Sequence, residues 1–415
     1  MTQVVSDPVI PSVVHQHAEE AGGLWDVRSR LVAGPVTLAD LLRLDERITA
    51  HLDGLMVAGQ HGWDVVLEAL SARTSPGAVF SAAYLAVAGR NPASLHRVMQ
   101  RAAAQPELWN GLVSALEWTS RSESRSGYEL GSSDALAREL AVAAWGASRN
   151  DDDDRVWRLI DDPSPRVRAA VLTAMGDCGY EPGVASCADA VLQSEAVVRA
   201  SGARAGVLLG DRGRSLQVLG RLDGGRTALL LALQAHTVES AHRLLKGLVS
   251  DSKRMALLLS GAGVIGDPIY VPWLIGLMQP PETARLAGGA FSLITGLDLA
   301  SAGLERERPE SLDADLGDSP ESADVAVDHG EGLAWPDVDG VRKWWAANSS
   351  RFQVGQRYFM GAPVTWEHCV DVLKNGYQRQ RILAAHYLCL LRPGTPLFNT
   401  SAPAWRQQRL LAQMH

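Results

Sequence analysis

Four arginines and four glycines set the period of this chain. Arg168, Arg199, Arg254 and Arg285 each open an Ala- and Leu-rich run, and the runs end on Gly179, Gly210, Gly266 and Gly296, which lie 11, 11, 12 and 11 residues further on. The arginines stand 31, 55 and 31 residues apart, so the middle gap holds two units. A recurring unit of about 30 residues made of two short helices is the mark of an α-solenoid, where each unit needs neighbours on both sides to cover its apolar surface. The predicted fold is all-α. An array of helix pairs occupies residues 76–300, a helical N-terminal cap residues 1–75, and a small, mostly helical region residues 335–415. An acidic flexible loop is expected between them at 301–334.

The clearest unit begins at Asp162-Pro163-Ser164-Pro165. Ser164 is placed to act as N-cap, and Pro165 sits at the first helical position, where its missing N–H costs nothing. Val167, Val171, Ala174 and Cys178 follow on one face, and Gly179 can take the left-handed conformation that ends a helix. A later partner helix is capped by Asp267, opened by Pro268, striped by Val271, Leu274, Ile275 and Met278, and closed by Pro280-Pro281. Residues 80–89, 94–103, 108–118 and 136–146 read as degenerate relatives of these units. Helices are also expected at 13–31, with a wobble at Gly22-Gly23, and at 38–58, where Thr37 and Asp40 approximate a capping box. Further helices fit 63–70, the turns carrying Val341, Trp344 and Trp345, and residues 366–374, 378–391 and 404–413, with a short extended piece within 355–363. One arginine per unit at a fixed helical position points to a tie between neighbouring units through carbonyls or carboxylates.

Charge narrows the partners. The 415 residues carry a formal charge of −8, and residues 305–331, with ten acids against two arginines, account for all of it. The remainder is close to neutral and offers no basic stripe to neutralise phosphates, so nucleic acid is not an expected partner. The acidic stretch contains Pro309 and Pro320 and few large apolar residues, a composition that does not order itself. The run from Asp151 to Asp154 lacks the alternating ligands and glycine turn of a calcium loop, and is expected to solvate a helix N-terminus. Cys178, Cys187, Cys369 and Cys389 form no C-x-x-C pair and are expected to be buried free thiols. With neither a basic start followed by an apolar run nor a window of 18 apolar residues, the expected location is the cytoplasm, away from membranes.

Gly261-Ala-Gly263-Val-Ile-Gly266 matches the G-x-G-x-x-G of dinucleotide sites, with Glu282 further on. The match fails in context, because such a motif follows a strand and opens a helix, whereas Pro268 stands two residues after the last glycine. His15 and His17, His51 and His61, and His236 and His242 make no ligand or catalytic spacing, and the common hydrolase and P-loop motifs are lacking. The chain is therefore expected to be no enzyme and to hold no cofactor or metal. Trp335, Trp344 and Trp345, beside the acidic loop, are the candidate partner-binding residues, since adjacent aromatics on one helix cannot share one core-facing side. The competing expectation is that they pack the C-terminal helices onto the array.

Three blocks carry a family resemblance: Leu44-Asp-Glu-Arg-Ile-Thr-Ala-His-Leu-Asp-Gly-Leu55, Phe291-Ser-Leu-Ile-Thr-Gly-Leu-Asp-Leu299, and Trp335-Pro-Asp through Trp344-Trp-Ala-Ala-Asn348. They resemble the signature blocks of an uncharacterised proteobacterial HEAT-like repeat family, sometimes encoded near type VI secretion genes. The resemblance implies a solenoid of HEAT-like helix pairs and carries no functional residues. The expected function is a cytoplasmic protein-binding scaffold, an adaptor or chaperone for a secretion component. The alternatives are an immunity protein that neutralises a toxin, or an enzyme of the HEAT-like bilin-lyase or DNA-glycosylase kind.

Overall fold

A computed structural model describes residues 9–72, 74–119, 130–148, 155–221, 225–247, 254–309 and 330–414. The acids Asp151 to Asp154 and residues 310–329 of the acidic loop lie outside the described residues. The described chain is helical almost throughout, with one two-residue antiparallel hairpin.

The N-terminal helices are α1 (Pro11–Leu31), α2 (Leu38–Val57) and α3 (Gly59–Ala72). Thr37 and Asp40 form the expected capping box at the start of α2. No break occurs at Gly22-Gly23. Instead α1 runs straight through and uses Gly22 as the place where α4 (Pro76–Ala88) crosses, backbone against backbone. Next come α5 (Pro92–Ala103), α6 (Trp109–Trp118), α7 (Ala135–Ser148), α8 (Pro165–Cys178), α9 (Val184–Ala190) and α10 (Ala196–Leu208). They are followed by α11 (Arg214–Leu219), α12 (Gly225–Ala235), α13 (Val238–Lys246), α14 (Met255–Ile265), α15 (Val271–Gly276) and α16 (Pro281–Thr295).

Packing is sequential. Helices α4, α6, α7, α8, α10, α12, α14 and α16 form one row in which each touches the next, and α9, α11, α13 and α15 lie against that row as partners. Helix α12 fills the 55-residue gap between Arg199 and Arg254, as the spacing required. The four cysteines are buried free thiols, as expected, and burial drives the Cys187 and Cys369 thiols up to about 12, so they are inert. Leu274 of α15 is fully buried. Leu274→Ala is expected to cost about 2–5 kcal/mol in a urea titration, as truncation of a core leucine does. A loss below about 0.5 kcal/mol, the size of an ordinary surface change, would put this residue outside the core.

The arginine period has a repeated geometry. Arg168 donates to the carbonyls of Asp162 and Pro163, six and five residues back, and reaches forward to Glu195 at 3.2 Å. Arg199 binds the carbonyls of Gln193 and Ser194 in the same way. Arg138, which the run pattern did not single out, makes an identical set, with the carbonyls of Ser132 and Ser133 behind it and Asp162 ahead at 2.7 Å. Each of these arginines closes the loop before its own helix. Arg138 and Arg168 also tether that helix to the next. The Arg138 guanidinium holds the Asp162 carboxyl below its usual range, its hydrogen bond being the largest cause. Ser164 does not cap α8 with its side chain. Asp162, engaged by Arg138, takes the Ser164 N–H at 2.8 Å instead.

At the end of the row, Arg285 donates to the carbonyl of Gly330 and lies 4.9 Å from the Trp335 ring. A bridge between Glu305 and Pro336 joins the two sides of the acidic segment. Beyond it come α17 (Val338–Asn348), the hairpin of β1 (Tyr358–Phe359) and β2 (Ala362–Pro363), α18 (Trp366–Asn375), α19 (Gln378–Leu391) and α20 (Ala404–Leu411). Residue 335 marks no break in the core, because residues from 191 to 411 share one apolar cluster together with Leu38 and Leu41.

Candidate functional site: a trough between the helix row and the C-terminal strap

The last carbonyls of a helix have no partner within it, and the row presents many such ends side by side. Residues 357–406 satisfy them, running back along the row like a strap. Met360 and Gly361 donate to Leu293 and Ile294 at the end of α16, and Tyr358 donates to Gly266 after α14. Arg357 spreads its guanidinium over the carbonyls of Leu233, Gln234, His236 and Ile265, where the helix dipole favours a cation. Further back, Leu397 N–H binds Asp177 O at 2.9 Å and Arg406 binds Ala147 O at 3.1 Å. The strap finishes on the N-terminal helices. There Arg28 pairs with Asp45 at 2.5 Å and donates to the Ser401 and Ala402 carbonyls, while Asp45 accepts the Ala404 N–H at 2.7 Å.

Between strap and row lies a trough of about 800 Å³. Its floor is made of small residues on successive helices: Ala143 and Gly146 of α7, Ala170 and Thr173 of α8, and Ser201 of α10. Thr173 and Ser201 touch hydroxyl to hydroxyl at 3.3 Å, which shows how closely these helices approach. Ile382, Ala385 and His386 of α19 form the facing wall. Two ion pairs border the floor: Arg166 with Glu139 at 2.8 Å and Arg204 with Asp177 at 2.8 Å. Arg166 also lies 5.1 Å from the Trp109 ring. Burial raises the Glu139 carboxyl above its usual range despite Arg166. His386, its Nδ1 at 3.0 Å from Gln234 Oε1, is pushed down to about 4 by burial and stands neutral.

Trp335, Trp344 and Trp345 are elsewhere, and all three are half-buried. Trp344 and Trp345 flank the buried ring of Phe291 edge-on at 5.8 and 6.5 Å, and Trp345 also meets Phe352 at 5.4 Å. Adjacent positions on α17 both reach the core because α16 brings Phe291 between them. Trp335 is covered by Arg285 and does not join this cluster. The exposed tryptophans are Trp273 and Trp405. The polar residues of the trough carry one recognisable signal in the sequence, the stripe Arg166, Ala170, Thr173 and Asp177 along one face of α8. Gly261 and Gly263 are packing contacts against Leu245 and Ala290, and Gly266 is a left-handed cap, so the glycine triplet forms no phosphate cradle.

Among the described residues, no helix is long and apolar enough to cross a membrane, and no group of three or more His, Cys, Asp or Glu side chains is placed to hold a metal. Comparison with family models, curated proteins and solved structures found no match to this chain.

Proposed function

We propose that this chain is a protein-binding scaffold, an α-solenoid of HEAT-like helix pairs whose trough receives an extended segment of a partner polypeptide. The observation that carries the reading is the floor of Ala, Gly, Ser and Thr continuing across α7, α8 and α10. A floor built mostly of small side chains, with Val197 beside Ser201 as its largest exposed one, leaves width for a peptide backbone, and the hydroxyls supply hydrogen bonds to it. The flanking pairs Arg166–Glu139 and Arg204–Asp177 present charges of both signs along the rim, which suits a mixed-charge segment and fixes its direction. The resemblance to the proteobacterial repeat family supplies the first partner class to try, a component of a type VI secretion system.

Ala170 is half-buried on the floor. Ala170→Trp is expected to fill the trough and weaken binding by about tenfold or more, the 1.4 kcal/mol of one lost anchor. Crosslinking in the native host followed by binding of the purified partner segment checks this. Equal binding by wild type and Ala170→Trp, at matched melting temperature, would remove the trough as the site.

A further inference from the structure

A second recess, of about 260 Å³, lies further along the same row and shares only Ile382 and His386 with the trough. Two guanidinium groups line it, Arg226 from α12 and Arg379 from the start of α19. Neither forms an ion pair among the described residues. Arg226 donates to Ser260 Oγ at 2.7 Å, and Arg379 makes no side-chain hydrogen bond there. Arg379 also lines the adjoining recess, where Asp298, the carboxylate that acts on it, is engaged by the Tyr377 hydroxyl and by Ser301. Burial lowers the Arg226 guanidinium and pushes that of Arg379 down to about 10, although Tyr377 and Asp298 act against the shift at Arg379. The remaining wall is largely apolar, with Leu230, Val264, Leu286, Leu293 and Leu383.

We propose that this recess binds a carboxylate carrying a short apolar tail, with Arg226 and Arg379 on the carboxylate and the leucines around the tail. Planar guanidinium forks match a carboxylate in two parallel hydrogen bonds. The volume falls just below the roughly 300–1,000 Å³ of sites for drug-sized ligands, so the ligand is small. A free branched-chain acid and the C-terminal residue of a polypeptide share this chemistry.

The test is calorimetry and thermal shift on the full chain with 3-methylbutanoate, with inorganic phosphate, and with a pentapeptide ending in leucine, as free acid and as amide. The expected result is saturable binding of 3-methylbutanoate, weaker binding of phosphate, and loss of about tenfold or more in affinity in Arg226→Gln and Arg379→Gln. Tighter binding of the free-acid peptide than of 3-methylbutanoate, with the amide inert, assigns the source to a polypeptide terminus. The reverse order assigns it to a free acid. Thr227→Trp, exposed at the recess, blocks the site without touching a buried residue and replaces any arginine variant that does not fold. The proposal is overturned by the absence of saturable binding, by phosphate binding as well as the acids, or by unchanged binding in these variants. The Ala170→Trp experiment at the trough is separate, so the two sites fail independently.

Discussion

Gly266→Ala is expected to destabilise the protein by about 2–5 kcal/mol, the sum of a left-handed backbone for an L-residue and an overpacked contact. Gly266 has φ 74° and ends α14 in the left-handed region. Its missing side chain also makes room for the strap, because a Cβ there would collide with the backbone carbonyl of Tyr358. Tyr358 N–H donates to Gly266 O at 2.8 Å, so strap and cap cannot separate without losing that bond. Gly225 is the control, since its φ is 76° but no described residue lies within 4 Å of the position of its Cβ. Gly225→Ala should cost only the conformational part, about 1–2 kcal/mol. Urea midpoints of the two variants give the comparison. Equal losses would mean that the hairpin does not rest on the end of α14.

Asp45→Ala is expected to cost about 3–5 kcal/mol, the usual result of stranding one member of a buried ion pair. The Arg28 and Asp45 side chains are 3% and 1% exposed. Removing the carboxylate leaves a buried guanidinium and an unpaired Ala404 N–H together. The damage should concentrate in α20, where amide hydrogen exchange is expected to accelerate well before that of α14. Exchange rising uniformly over the whole chain would contradict a local anchoring role. The double variant Arg28→Met, Asp45→Leu should lose less than Asp45→Ala, because it removes the stranded charge, although the Ser401 carbonyl loses its Arg28 donor and the Ala404 N–H its acceptor, while the Ala402 carbonyl keeps Gln407 Nε2.

The helix row is legible in the sequence because its signals are local. Gly179, Gly210, Gly266 and Gly296 do adopt positive φ, at 69°, 102°, 74° and 72°. The capping box at Thr37, the stripe around Leu274 and the bounds of Gln378–Leu391 rest on contacts within one turn or two. The strap is not legible, because nothing at Arg357 or Leu397 announces that its partner is a helix end 92 or more residues away. The same glycines that mark helix ends also mark where the strap passes: Gly179 meets Gly394, Gly210 meets Pro393 and Gly296 meets Met360. Local sequence shows the first role and hides the second. The trough was missed for a related reason. Its floor consists of small residues, which read as ordinary helix formers until neighbouring helices align them. For the tryptophans, the expectation that adjacent positions on one helix cannot share a core-facing side does not hold, because Phe291 of α16 stands within reach of both Trp344 and Trp345, which is a tertiary fact.

The anchoring of the strap on Asp45 has a consequence for how the chain is made. The carboxylate and the Ala404 amide that it accepts are 359 residues apart. At a synthesis rate of about 5–20 residues per second, the N-terminal helices wait roughly 20–70 s after leaving the ribosome before their last partner is available. Throughout that interval α1 and α2 hold a paired but half-satisfied charge, and the helix ends of the growing row stand open to water. Emergence of residue 404 is therefore the event that seals both, and termination between residues 296 and 403 yields a row of helices that is complete in number and open along one edge.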